Sequence, residues 1–125
     1  MTREEFEIYV EEHLGVHAER PFAKDQSTVI FRHAENRKWF AAVMTIQKKH
    51  LGIDGDGHID VVNLKCDPEV IYSVISENGI YPAYHMNKKH WLSVCLDGSV
   101  DTDTVLWLLG ISYDLTSPKK RSVSE

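Results

Sequence analysis

The chain has 125 residues, 42% of them hydrophobic and 26% charged, with four prolines. That composition fits one domain burying roughly two-thirds of its unfolded surface and excludes a disordered chain. A formal net charge of −5 repels polyanions on average, so any nucleic-acid reading must rest on local cationic clusters.

Thr2 and Glu5 have the spacing of a capping box for a first helix, in which Phe6, Tyr9, Val10, His13 and Leu14 recur on one face until Gly15 stops it. This acidic, amphipathic start lacks the apolar core of a signal peptide, and no apolar run reaches membrane length; a cytoplasmic protein without membrane association is expected. The segment 16–26, with Pro21, reads as an extended connection. Thr28–His33 and Lys38–Gln47 are β-rich runs separated by Ala34-Glu35-Asn36-Arg37, a hairpin length. In the second run Phe40, Ala42, Met44 and Ile46 share a face, predicted to meet the core, with Trp39, Ala41, Val43 and Thr45 opposite.

Residues 48–57 form a polar loop with three glycines, and His58–Lys65 a third strand, with a bulge expected near Val61 and Val62 where the alternation changes phase. Asp54-Gly55-Asp56-Gly57-His58 resembles the start of a calcium loop, but Ile59 stands where the glycine belongs and Lys65 where a bidentate acid is needed. Asp67-Pro68-Glu69 starts a second helix with Val70, Ile71, Val74 and Ile75 as its buried stripe, and Gly79 ends it. The stretch from Ile80 to Trp91 reads as a second hairpin turning tightly at Asn87-Lys88, after which Leu92, Val94 and Leu96 oppose Trp91, Ser93 and Cys95. Asp101 or Thr102 caps a last helix containing Val105, Leu106, Leu108, Leu109 and Tyr113; the domain is placed at 1–115, with a flexible tail over 116–125. The order α-β-β-β-α-β-β-α, joined by hairpins, predicts an α+β two-layer sandwich: an antiparallel sheet with helices packed on one face.

Chemistry-bearing residues concentrate in the two hairpins. Arg37, Lys38, Lys88 and Lys89 supply cations for phosphates, while Trp39, Tyr84, His85, Asn87 and Trp91 supply stacking and hydrogen-bonding groups, so a nucleic-acid-binding face is predicted there. The blander alternatives are lysines guarding sheet edges and tryptophans covered as core. His85 and His90 flank a turn, but their spacing matches no metal signature. Cys66 and Cys95, far apart in sequence, read as buried reduced thiols. With no nucleophile elbow, phosphate loop or dinucleotide fingerprint, no catalytic residue, metal or cofactor is expected.

Four segments in order, Asn36-Arg37-Lys38-Trp39-Phe40-Ala41, Leu64-Lys65-Cys66-Asp67-Pro68, the run Pro82 to Trp91, and Ser112-Tyr113, resemble the MmcQ/YjbR family of small bacterial proteins. The resemblance spans Pro21 to Leu115, and its matching positions are Lys38, Trp39, Lys65, His85, Met86, Asn87, Lys88, His90, Trp91, Ser112 and Tyr113. It implies an α-β3-α-β2-α fold similar to type III secretion chaperones and to the frataxin group, and a DNA-binding label tied to a double-wing arrangement of strands. The expectation is a monomeric, non-enzymatic binding protein with DNA as partner, or alternatively a protein or peptide. A continuous basic face would favour DNA; a neutral aromatic groove would favour a peptide or small molecule.

Overall fold

The structure, a computed structural model, describes residues 1–118. Helix α1 (Arg3–Tyr9) runs into a wider π-helical turn, Val10–Leu14, and β1 (Val29–Arg32) and β2 (Trp39–Gln47) form the first hairpin. A short turn, Lys48–Leu51, precedes β3 (His58–Lys65), and α2 (Pro68–Val74), β4 (Ile80–Pro82), β5 (Trp91–Cys95) and α3 (Thr102–Thr116) follow. The five strands make one antiparallel sheet in the order β1-β2-β3-β5-β4. The predicted α+β architecture and element order are those found. The tail predicted beyond the domain falls, from residue 119 onward, outside the described residues; its first residue, Thr116, is the last of α3.

Local signals set the helix ends. The Thr2 hydroxyl accepts from the Glu5 N–H while the Glu5 carboxylate accepts from the Thr2 N–H, and Gly15 leaves the helix with φ 67°. Asp101 caps α3 by accepting from the Thr104 N–H at 3.3 Å. Asp67 occupies the cap position of α2 but makes no side-chain capping bond.

All three helices pack on one face of the sheet. Phe6 of α1, Val10 of the π-helical turn, Ile71 of α2 and Leu108 of α3 share one buried cluster with Val43, Leu64, Leu92 and Val94. The phase predicted for β2 is corrected. Register runs Phe31 to Ala41 and then Arg32 to Trp39, which leaves Phe40 unpaired in a bulge. Phe40 therefore enters the helix-side core beside Ala41 and Val43, while Trp39, Ala42, Met44 and Ile46 point to the helix-free face. The bulge predicted in β3 is absent, since His58–Lys65 pair in unbroken register with β2 and β5. Val61 and Val62 are both fully buried because the two faces of this central strand are both covered.

The bulge leaves a gap in the ladder that a distant residue fills. The Ser112 hydroxyl of α3 donates to the Phe40 carbonyl at 2.6 Å and accepts from the Lys65 N–H at 2.8 Å. It bridges two backbone groups that a regular β2–β3 ladder would have joined directly. A second tie holds the first hairpin loop to the same helix: buried His33 places Nε2 2.9 Å from Thr116 Oγ1 and 3.1 Å from the Tyr113 carbonyl, and Asn36 donates to the Thr116 carbonyl.

The second hairpin exists, but its turn differs from the prediction. Ile80, Tyr81 and Pro82 pair with Val94, Ser93 and Leu92, so the loop spans residues 83–90. The left-handed residue is His85, with φ 58°, not Asn87. Asn87 makes a side-chain turn instead, accepting from the Lys89 N–H at 2.9 Å, while its carbonyl takes the N–H groups of His90 and Trp91.

A candidate binding groove on the helix-free face

On the face without helices, the even-numbered residues of β2 lie beside odd-numbered residues of β3 and β5: Ala42 aligns with Asn63, and Asn63 with Ser93. Two chain segments rise as walls above this floor. One is the connection from Phe22 to Thr28; the other is the loop residues Tyr84, His85 and Met86. Together they enclose a groove of about 590 Å³ that follows β2 from Trp39 to Gln47 and includes Ala42, Met44 and Ile46. Eight residue steps along a strand make its length about 26 Å.

The small Ala42 side chain creates depth at mid-floor. At one end of the groove, Phe22 meets Trp39 edge to face, with ring centroids 6.1 Å apart. Also in the lining, Tyr84 and His85 hold their rings 3.9 Å apart, and His50 approaches Tyr84 at 5.1 Å. Met44 and Met86 add polarizable thioethers to the lining.

A buried polar triad positions the Tyr84 wall. Asn63 and Ser93 are both fully buried in the middle of the sheet. Ser93 Oγ donates to Asn63 Oδ1 and accepts from the Tyr84 N–H at 3.0 Å, and Asn63 Nδ2 donates to the Tyr84 carbonyl at 2.8 Å. Both backbone polar groups of Tyr84 are thus fixed by the sheet beneath them.

The groove's charge is near balance. Among the described residues, Lys24 and Asp25 are its only Lys, Arg, Asp or Glu lining residues, accompanied by His50, His58 and His85. Hydrogen bonds from the hydroxyls of Ser27 and Thr28, at 2.5 and 2.6 Å, hold the Asp25 carboxyl below the usual carboxylate range, so it remains ionised.

Of the residues predicted from sequence, Trp39, Tyr84 and His85 meet in this groove. Arg37, Lys38, Asn87, Lys88 and Lys89 are exposed on the two hairpin loops and do not line it. Both loops emerge at the end of the sheet where β3 finishes, because Ala41 pairs with Leu64 and Trp91 with Lys65. Arg37 lies 3.9 Å from Glu19, whose carboxylate is already paired with Arg32 at 3.1 Å. Trp91 is half-buried at the start of β5, outside the groove.

Sequence reasoning missed Phe22, Ala42, Met44 and the Asn63–Ser93 pair. Two signals pointed to all of these but Phe22. β2 is apolar on both alternating sets, so its second face needs a cover or a ligand, and Asn63 and Ser93 interrupt otherwise apolar strands. The cysteines are as read: both are free and buried, and burial pushes the Cys95 thiol up to about 12 and raises that of Cys66. Neither is poised as a nucleophile.

A family model described as YjbR matches residues 12–115. The chain is 35% identical over 116 residues to the uncharacterized protein YyaQ of Bacillus subtilis, covering 93% of this chain and 98% of that protein. It is 36% identical over 53 residues to the uncharacterized protein YjbR of Escherichia coli K12, covering 42% of this chain and 45% of that protein. Among solved structures, a Pseudomonas syringae protein superposes with TM-score 0.92 at 38% identity, covering 94% of this chain and 100% of the other. The Deinococcus radiodurans protein DR2400 gives TM-score 0.71 at 28% identity, covering 97% of this chain and 83% of that one.

Proposed function

This chain belongs to the YjbR family, and we propose that it is a non-enzymatic binding protein that takes an extended peptide segment along the helix-free face of its sheet. One observation carries the reading: a near-neutral groove, aromatic at one end, runs the length of β2 over a floor of Ala42, Met44 and Ile46. Its length of about 26 Å suits roughly eight extended residues. Apolar burial would supply the affinity and the aromatic walls the orientation.

The test is selection of binding peptides from a random display library, followed by nuclear magnetic resonance mapping. Selected peptides should shift the signals of Trp39, Ala42, Met44 and Tyr84, and Ala42→Leu, which fills the floor, should weaken them at least tenfold. Peptides that bind the Ala42→Leu protein as tightly as the wild type overturn the reading.

DNA is the second reading, favoured by the convergence of Arg37, Lys38, Lys88 and Lys89 at one end of the sheet. Phosphate neutralisation there would be steeply salt-dependent, about one unit of log–log slope per contact. The groove itself offers one lysine against one aspartate, and the whole chain is acidic, which is why the peptide is placed first. Labelled duplex and single-stranded DNA titrated at two salt concentrations decide it. Binding that weakens with salt and disappears in Lys38→Ala/Lys88→Ala/Lys89→Ala supports DNA, and absence of binding at micromolar protein removes it.

A further inference from the structure

We propose that the Trp39 end of the groove is a subsite for a planar aromatic side chain of the bound peptide, and that Asn63 and Ser93 are its positioning residues. The proposal rests on the groove being the binding site and names what one end of it recognises.

Four rings line the groove that runs over Ala42. Trp39 and Phe22 stand edge to face, at an interplanar angle of 79°, and Tyr84 and His85 form a second pair with centroids 3.9 Å apart. A flat aromatic group entering between them would meet ring faces and edges, an arrangement that aromatic quadrupoles favour over aliphatic contact. The bulge at Phe40 makes this possible, since it turns Trp39 onto the same face as Ala42.

The second observation is polar. Asn63 is fully buried yet lines the groove. Its Oδ1 accepts from Ser93, and its amide nitrogen donates to the Tyr84 carbonyl. An amide nitrogen carries two hydrogens, and the second has no protein acceptor among the described residues. A buried donor of this kind calls for a partner, and a ligand's acceptor atom or aromatic face supplies one. The same triad fixes Tyr84 at both its N–H and its carbonyl, and from that fixed point His85 enters the left-handed region at φ 58°. Backbone held in a sparsely populated conformation is maintained only where its surroundings over-determine it. Here Asn63 and Ser93 do so.

The experiment uses indole as probe, with the full-length protein. Indole should shift the Trp39 ring N–H, the Ala42 methyl and Tyr84, and Ala42→Leu should abolish those shifts. Ser93→Ala should raise amide hydrogen exchange at Tyr84 and weaken indole binding by about fivefold, the effect of losing one ordinary hydrogen bond, and Ser93→Thr, which keeps the hydroxyl, should restore both. Val94→Ala, which opens a cavity on the helix side of the same strand, controls for general destabilisation and should change neither.

Indole shifts located elsewhere, or unaffected by Ala42→Leu, overturn the subsite. Unchanged Tyr84 exchange in Ser93→Ala overturns the positioning role. If library peptides occupy the groove without any aromatic residue, the peptide reading stands and the subsite falls. If indole occupies it and no peptide displaces indole, the peptide reading falls, and the site takes a free planar aromatic molecule instead of a peptide side chain, which overturns the subsite as proposed.

Discussion

Replacing Ser112 by alanine should cost far more than a buried serine on a helix ordinarily would. The side chain is fully buried, and its hydroxyl serves two backbone groups at once, the Phe40 carbonyl at 2.6 Å and the Lys65 N–H at 2.8 Å. In the alanine variant both are stranded away from water, and each unsatisfied buried group costs about 1–3 kcal/mol. Partial closure of β2 onto β3 would recover one direct bond, so the net loss is about 2–3 kcal/mol. For a domain of this size that lowers Tm by about 8–12 °C. Urea unfolding followed by tryptophan fluorescence measures it, with Ser112→Thr as the variant that retains the hydroxyl and should lose much less. A loss below about 0.5 kcal/mol, within the range of an ordinary surface substitution, would refute the claim that Ser112 completes the ladder at the bulge.

Gly79 sits at φ 90°, and a Cβ there would press against Ser99 Oγ and lie 2.6 Å from Val100 Cγ2. Gly79→Ala should therefore destabilise by about 3 kcal/mol, combining left-handed strain with overpacking; thermal unfolding checks it. His33 is held neutral because burial lowers its pKa from 6.5, opposed by its bond to the Tyr113 carbonyl. The unfolded chain then binds a proton that the folded one refuses, so this contribution is complete above pH 6.5 and is lost as pH falls through the lower folded value. Urea midpoints from pH 7.5 to 5 should decline, and His33→Gln, though less stable at pH 7.5, should decline less. With Cys95 pushed up to about 12 and Cys66 also raised, neither thiol should react with a disulfide reagent at pH 8 until the protein is denatured, when both react; the thiol absorbance assay reads this directly.

The hairpin stretch from Tyr81 to Trp91 shows how far side-chain inventory carries. Its residue types singled out a loop whose Tyr84 and His85 do line the groove. Nothing local placed Lys88, Lys89 and Trp91 outside it, because that depends on a turn of eight residues instead of two and on His85, not Asn87, taking the left-handed conformation. The choice of His85 follows from the anchoring of Tyr84 by Asn63 and Ser93, 21 and nine residues away. Phe22 was hidden for a similar reason: it lies in a connection with no periodicity, and only its packing on Trp39 gives it a place in the site.

What the amino-acid order determined alone was the set of elements and their sequence along the chain. Capping by Thr2 and Asp101, termination at Gly15, and the alternation within each strand are short-range effects of backbone geometry and hydrogen bonding, whereas α2 ends at Val74, ahead of the Gly79 stop expected for it. What only the tertiary structure decided was which face of β2 meets the helices. Both alternating sets of that strand are apolar, so hydrophobicity did not choose between them. The choice was made by one unpaired residue, Phe40, whose bulge is bridged to β3 by a hydroxyl 72 residues away, and a contact of that range leaves no periodic trace in the sequence.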